Sequence, residues 1–155
     1  MKVFRSITPR HRGIAYVHSI AEQGFQNASL YEASRPTYPT DVVDEMRSLL
    51  PRTQAPLRIL ELGAGTGLFT DLLVRDLLPS DGHLTAVEPS QGFRKVLANK
   101  FRDDGRVRVL DSSSQNLIQL EDASVDACIV AQAFHWMVLR FVPRLFLWLS
   151  FQLSP

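Results

Sequence analysis

Short apolar runs alternate with amphipathic stretches through the middle of this chain. The apolar runs predict strands at residues 58–61, 84–87, 107–111 and 125–130. The amphipathic stretches predict helices at residues 41–50, 68–78 and 89–101, and proline or glycine follows most of them. Strands that alternate with helices are typical of a parallel sheet with helices packed on it. We therefore expect an α/β fold with a Rossmann-like parallel sheet and flanking helices.

A glycine turn separates the first predicted strand from the following helix. The strand ends at Glu61, and Gly63, Gly65 and Gly67 come directly after it. Glycine allows positive φ and a close approach of the backbone, and a helix start behind such a turn offers N–H groups to a ligand. The spacing G-x-G-x-G differs from the dinucleotide fingerprint G-x-G-x-x-G. Taken alone, the turn also fits a tight connection that binds no ligand.

An acidic residue, Glu88, ends the second predicted strand. A carboxylate at this point can accept hydrogen bonds from both hydroxyls of a ribose, as in dinucleotide-binding enzymes. An exposed strand-end acid, or an acid favoured by the dipole of the next helix, is the alternative. Because Glu88 follows a glycine turn, we favour the ribose interpretation.

Several motifs in order carry a resemblance to a known family. The run from Glu61 to Gly67 is similar to motif I of the class I S-adenosylmethionine-dependent methyltransferases. Two further segments resemble a subgroup of the type 11 methyltransferases that includes trans-aconitate-methyltransferase-like proteins. They are Ala131-Gln132-Ala133-Phe134-His135-Trp136, and Gly24-Phe25 followed by Tyr31 and Arg35-Pro36-Thr37-Tyr38-Pro39. The matches extend from Phe25 to Trp136.

The resemblance implies S-adenosyl-L-methionine as the cofactor and gives roles to particular residues. The methionine moiety would be positioned by the loop residues Glu61, Gly63, Ala64, Gly65 and Gly67, and the ribose by Glu88. Adenine would contact Ser114 and Gln115, although the family often has an acid at the second position and a serine-rich polar loop is an equal alternative.

The remaining residues implied by the resemblance lie around the methyl-transfer cleft. Gln132 would contact the cofactor there, and His135 would orient an acceptor or take a proton, unless it is a structural histidine. Substrate and lid contacts would come from Tyr31, Arg35, Tyr38 and Trp136. Packing is the alternative for Trp136, and a structural ion pair is the alternative for Arg35.

The expected activity is methyl transfer to a small-molecule acceptor. A sulfonium is already an activated methyl donor, so the enzyme mainly holds the nucleophile in line and excludes water. We therefore expect neither a catalytic triad nor a metal. Two alternatives stay open, namely a noncatalytic remnant and a nicotinamide-dependent oxidoreductase that uses the same glycine turn and ribose acid.

Composition limits the class of protein. With 155 residues the chain can hold one domain, and a net charge of +1 argues against general affinity for nucleic acid. Its single cysteine, Cys128, cannot form an internal disulfide and lies in a predicted core strand. We expect a cytoplasmic protein with a small-molecule substrate, no nucleic-acid partner and no membrane span. The sequence does not predict an oligomeric state.

The family pattern stops after Trp136. We assign residues 1–24 to an N-terminal tail with a short helix, 25–136 to the N-terminal part of the methyltransferase domain, and 137–155 to an atypical apolar tail. Arg140, Pro143 and Arg144 argue against a membrane span in this tail. A full family sheet has seven strands, and we expect about four here with no strand in the tail. The abrupt change suggests a truncated or misspliced product.

Overall fold

The middle of the chain forms one parallel sheet with helices packed on it. The computed structural model describes residues 41–50, 55–113, 117, 119–121, 123–133 and 146–149. The strands are β1 (Arg58–Leu62), β2 (His83–Val87), β3 (Val107–Leu110), β4 (Ala127–Ala131) and β5 (Phe146–Leu149). The helices are α1 (Asp41–Leu49), α2 (Leu68–Leu72, continued by a π-helical turn at Leu73–Leu77) and α3 (Gln91–Lys100). This confirms the predicted fold class.

The strand order places β1 inside the sheet, with β2 on one side and β4 on the other. The order is β3-β2-β1-β4-β5 and every pairing is parallel. The chain therefore moves outward from β1 to β3 and then returns to the opposite side of β1. In open α/β sheets, ligands bind outside the carboxyl ends of the strands at such a reversal.

Each face of the sheet has its own apolar cluster, because successive strand residues point to opposite faces. On one face, Ile59, Leu84 and Ile129 pack with residues of all three helices, including the fully buried Met46, Leu73 and Leu97. On the other face, the cluster contains Leu60, Leu62, Val87, Leu110, Cys128 and Val130. Strands that are buried on both sides have nearly continuous apolar sequences, which explains the runs in this chain.

The helix predicted at residues 68–78 ends differently from the prediction. Leu78 N–H donates to the carbonyl of Leu73 at 2.7 Å, which closes a π-helical turn. Leu78 itself is extended, with φ −76° and ψ 122°. The cause is Pro79, because the residue before a proline is disfavoured in the helical region.

The expectation that no strand follows β4 is wrong. Within the segment assigned to an apolar tail, β5 pairs in parallel with β4, from Cys128 opposite Phe146 to Ala131 opposite Leu149. The sheet therefore has five strands in the described residues rather than four. A strand next to a buried central strand needs no polar alternation, so its uniformly apolar sequence was mistaken for an irregular tail.

Other expectations remain as predictions. The assigned boundaries at residues 24/25 and 136/137 are not tested by the sheet, and everything predicted for residues 1–40 lies outside the described part of the chain. Within that described part, no helix combines the length and apolarity needed to cross a bilayer.

Candidate functional site

The glycine turn after β1 is attached to the end of β2 by its backbone amides. Gly63, Gly65 and Gly67 have φ values of 71°, 61° and 86°. The N–H groups of Gly63 and Ala64 donate to the carbonyl of Val87 at 2.8 and 3.1 Å. The N–H of Gly65 donates to Glu88 Oε2 at 2.8 Å. Three consecutive amides of the turn are thus already used within the protein.

Gly65 and Gly67 serve different purposes. A Cβ on Gly67 would lie 2.7 Å from Leu97 Cδ1 and 2.9 Å from Phe101 Cε2, so packing against α3 and its end requires glycine there. A Cβ on Gly65 would meet no atom of the described residues within 4 Å. Within the described part of the chain, the backbone at Gly65 is therefore uncovered, whereas Gly67 packs against the protein.

Glu88 holds two loops together through its carboxylate. Oε2 accepts from Gly65, and Oε1 accepts from the N–H of Ser90 at 2.8 Å. Only 6% of the residue is exposed. Burial raises the pKa of Glu88 above its ordinary value, while the hydrogen bonds from Ser90 and Gly65 and the charge of Arg94 act in the opposite direction. The carboxylate is consequently fixed in one orientation at the tip of β2.

Glu61 is directed into the protein, where it meets helix α2. Its Oε2 accepts a hydrogen bond from Thr70 Oγ1 at 2.7 Å, and both residues are buried. Burial raises the pKa of Glu61 to about 8, the nearby Glu88 adds to the rise, and the Thr70 hydroxyl opposes it. The contact connects the end of β1 to the helix after the turn. Nothing in the sequence pattern predicted this role for Thr70.

Two buried hydroxyl groups near the strand ends have no hydrogen-bond partner among the described residues. They are Thr66 Oγ1, inside the glycine turn, and Ser113 Oγ, after β3. Buried polar atoms in native proteins are nearly always paired with protein, water or a ligand. Both hydroxyls lie at the carboxyl edge of the sheet, where Gly65 also has no neighbour within 4 Å among the described residues.

Comparison with known proteins decides the family. A family model described as a methyltransferase domain matches residues 60–147, more than half of the chain. The chain belongs to this methyltransferase family. The match begins within β1, includes the glycine turn, Glu88 and β4, and extends into β5. It agrees with the cofactor expected from the motifs, S-adenosyl-L-methionine.

Relatives of this methyltransferase chain support the same assignment. An uncharacterized methyltransferase of Mycobacterium tuberculosis is 40% identical over 107 residues, which are 69% of this chain and 39% of that protein. An uncharacterized methyltransferase-like protein of Schizosaccharomyces pombe is 38% identical over 109 residues, 68% of this chain and 38% of that protein. The chain therefore matches about two fifths of the length of these relatives.

A solved structure shows that the fold is shared. The crystal structure of a candidate S-adenosyl-L-methionine-dependent methyltransferase from Methanococcus maripaludis superposes with a TM-score of 0.60 at 16% sequence identity. The superposition covers 76% of this chain and 52% of that one. At this identity the likeness concerns the fold alone.

The methyltransferase fold brings part of the predicted site together. Glu61, the glycine turn and Glu88 meet where β1 and β2 end, and Gln132 follows β4 on the other side of β1 with a positive φ of 52°. Seven other predicted residues lie outside the described residues: Tyr31, Arg35, Tyr38, Ser114, Gln115, His135 and Trp136. Ser113, just before the predicted adenine contacts, was not predicted.

Proposed function

We propose that this chain binds S-adenosyl-L-methionine at the carboxyl ends of β1, β2 and β3 and transfers its methyl group to a small-molecule acceptor. The observation that carries the proposal is the fixed carboxylate of Glu88 beside the open backbone of Gly65, in a chain of the methyltransferase family. Family membership supports the reaction class. The acceptor class rests on the resemblance described from the sequence.

Glu88 is the proposed ribose ligand. Each carboxylate oxygen accepts one backbone hydrogen bond and retains a further lone pair for a ribose hydroxyl. Because the two amides hold the carboxylate in place before any ligand arrives, little side-chain entropy is lost on binding. Charged acceptors also form the stronger class of hydrogen bond.

The other predicted cofactor residues divide into those that face a ligand and those that shape its site. Gly63 and Gly65 would let the methionine part approach the backbone, and Gln132 would lie on the opposite side of β1. Glu61, Ala64 and Gly67 would hold the turn in shape, because Glu61 bonds to Thr70, Ala64 is buried in the core and Gly67 packs against α3.

Adenine would lie along the segment after β3. The buried Ser113 hydroxyl, which has no hydrogen-bond partner among the described residues, can donate and accept there, and Ser113 immediately precedes the predicted contacts Ser114 and Gln115. The proposal therefore extends the expected adenine site by one residue.

The chemical demands on the chain are modest. When bound, the cofactor supplies a methyl group that is already activated toward a nucleophile, so the protein has to bind, orient and exclude water. His135 is the proposed residue that orients the acceptor or takes its proton. Tyr31, Arg35, Tyr38 and Trp136 are proposed to close over the site.

The hydrogen bonding of the glycine turn argues against a nicotinamide cofactor. Dinucleotide-binding turns use backbone N–H groups to hold a pyrophosphate. Here the N–H groups of Gly63, Ala64 and Gly65 already bond to Val87 and Glu88. S-adenosyl-L-methionine carries no pyrophosphate and does not need these donors.

Calorimetric titration of the 155-residue chain tests the proposal. We expect saturable binding of S-adenosyl-L-methionine and S-adenosylhomocysteine, and none of NAD. Preference for NAD, or no saturable binding of either adenosyl compound by a folded sample, would overturn it.

A second measurement tests the transfer step. A cofactor with a labelled methyl group is incubated with the chain and with small carboxylic acids, nucleic acid or protein as acceptors. Label in a small acid supports the proposed acceptor class. Label only in a macromolecule would contradict that class, and cofactor binding without transfer to any acceptor would favour a noncatalytic protein.

A further inference from the structure

Arg94, on helix α3, contacts the ends of two neighbouring strands. Its Nη1 donates to the carbonyls of Glu88 and Pro89, both at 2.9 Å, and its Nη2 donates to Asp111 Oδ2 at 2.8 Å. Glu88 and Pro89 follow β2, whereas Asp111 follows β3. One guanidinium group thus connects the two segments that the proposed function assigns to ribose and adenine.

Only arginine suits this set of acceptors. The planar guanidinium offers several N–H donors in a rigid arrangement, so a single side chain can bond to three acceptors in different directions. A lysine ammonium carries the same charge but has no fixed geometry. The side chain of Arg94 is 18% exposed, while that of its partner Asp111 is 71% exposed. Arg94 is therefore the more buried of the two partners, and Asp111 reaches it from the surface.

We infer that Arg94 is a positioning residue of the cofactor site, which holds the ends of β2 and β3 so that Glu88 and the residues after Asp111 meet one nucleoside. The inference rests on the proposed function, since it assumes that a nucleoside lies there. Arg94 bonds to the backbone carbonyl of Glu88, whereas the carboxylate oxygens accept from Gly65 and Ser90, so Arg94 acts on the strand end and not through the carboxylate oxygens.

The charge of Arg94 has a second effect on the same carboxylate. Among the described residues, the ionisable side chains that act on Glu88 are Arg94 from α3 and Glu61 from the end of β1, and Asp111 at the end of β3 is paired with Arg94. Burial raises the pKa of Glu88, and the positive charge of Arg94 opposes that rise, as do the amides of Ser90 and Gly65. Loss of Arg94 would therefore raise the pKa of Glu88 further and leave it protonated at a higher pH.

Three variants separate geometry from charge. Arg94→Met removes the donors and the charge, and Arg94→Lys removes the donor geometry and keeps the charge. Arg102→Met is the matched control, because Arg102 is exposed and pairs with its neighbour Asp103 beyond the end of α3. Binding of S-adenosylhomocysteine and of 5′-methylthioadenosine, which has the nucleoside but no amino acid, is titrated between about pH 5 and about pH 8. A thermal melt of each variant without ligand monitors folding.

For Arg94→Met we expect about tenfold weaker binding of both ligands, as loss of a charged hydrogen-bond network predicts. The acid limb of the binding profile should also move to higher pH. Arg94→Lys should bind both ligands less tightly with the acid limb unmoved, and Arg102→Met should match the wild type. Equal loss for the two ligands places the effect on the nucleoside half.

Several outcomes would overturn the inference. Wild-type affinity in Arg94→Met or in Arg94→Lys would do so, and so would a loss confined to S-adenosylhomocysteine. If Arg94→Met does not fold, Arg94→Lys alone decides. Wild-type affinity in Arg94→Lys would show that the donor geometry of the guanidinium group is not needed. Failure of the wild type to bind either ligand would instead reject the proposed function, so the two failures are distinguishable.

Discussion

The carboxylate of Glu88 accepts a hydrogen bond from the backbone N–H of Gly65 at 2.8 Å. This contact joins the turn after β1 to the tip of β2, and it fixes the acid and the glycine turn as one unit. A second bond, from Ser90 N–H, fixes the other carboxylate oxygen. The acid and the turn that we propose to bind a nucleoside are thus held in place by hydrogen bonds within the protein.

Replacing Glu88 should affect both binding and stability. We expect Glu88→Ala to weaken S-adenosylhomocysteine binding by about 1–3 kcal/mol, because a charged acceptor is lost. The free energy of unfolding should also fall, since the amides of Gly65 and Ser90 lose their acceptor. Glu88→Gln should have a binding affinity and a stability between those of the wild type and Glu88→Ala, because the amide of glutamine has only one oxygen and can accept from only one of these N–H groups.

The measurements for this prediction are calorimetric titration and urea denaturation. Glu45→Ala, which removes an exposed carboxylate on α1, serves as the control and should leave both quantities near wild type. Unchanged affinity in Glu88→Ala would remove Glu88 from the site.

Alanine at the two glycines should separate packing from binding. Gly67→Ala should lower the free energy of unfolding by about 2–4 kcal/mol, because it combines a positive φ with contacts to Leu97 and Phe101 that are too short. Gly65→Ala should cost only about 1 kcal/mol, since its φ is strained but its Cβ would meet no atom of the described residues within 4 Å. Its main effect should be weaker cofactor binding.

Urea denaturation and titration with S-adenosylhomocysteine, run on both glycine variants, check this difference. The two variants are matched in chemistry and lie two residues apart. If Gly65→Ala bound S-adenosylhomocysteine normally while Gly67→Ala kept the stability of the wild type, the roles given to the two glycines, ligand approach at Gly65 and packing at Gly67, would be incorrect.

The strand–turn–helix unit and Glu88 were predictable because local sequence determines them. An apolar run followed by closely spaced glycines requires a turn, and Glu88 ends the next apolar run. The partners of these residues were not predictable. That the turn amides bond to Val87 and Glu88, and that Arg94 spans β2 and β3, depends on which strands become neighbours. In sequence, Arg94 is an ordinary basic residue on a helix.

The fifth strand was missed for a different physical reason. Residues 146–149 are apolar throughout, so their sequence has no period-two alternation of apolar and polar residues that would identify a strand. Pairing with β4 is what defines this strand, and pairing is a long-range property. The π-helical end of α2 was also missed, although Pro79 gave the signal that the helix could not include Leu78.

Stability should decrease as the pH rises across the neutral range because of Glu61. The folded protein keeps a proton on Glu61 up to about pH 8, whereas the unfolded chain releases it near the ordinary pKa of about 4.3. Between these values the folded state binds more protons, so raising the pH favours unfolding. The stabilising contribution of protonated Glu61 is fully present below the pKa that Glu61 has in the unfolded chain. It is lost as the pH rises through the pKa of about 8 that Glu61 has in the folded protein.

Glu61→Gln isolates this contribution, since the amide has the same shape and does not titrate. Urea denaturation from about pH 5 to about pH 9 should show the variant gaining stability relative to the wild type as the pH rises. Parallel curves for the two proteins would show that Glu61 is ionised in the folded state.

Thr70→Val should destabilise the protein through the same contact. The hydroxyl of Thr70 donates a hydrogen bond to Glu61, and valine has nearly the same shape without that hydroxyl. We expect a loss of about 1–3 kcal/mol in the free energy of unfolding, because a buried carboxyl group loses its partner. Thermal and urea denaturation measure it, and wild-type stability would mean that the bond contributes nothing.

A crystal structure with S-adenosylhomocysteine tests the central claim most directly. We predict the nucleoside at the carboxyl ends of β2 and β3, with the ribose hydroxyls donating to Glu88 and the amino-acid part passing Gly65. A well-ordered glycine turn with no ligand beside it, or a ligand bound elsewhere on the protein, would contradict the account.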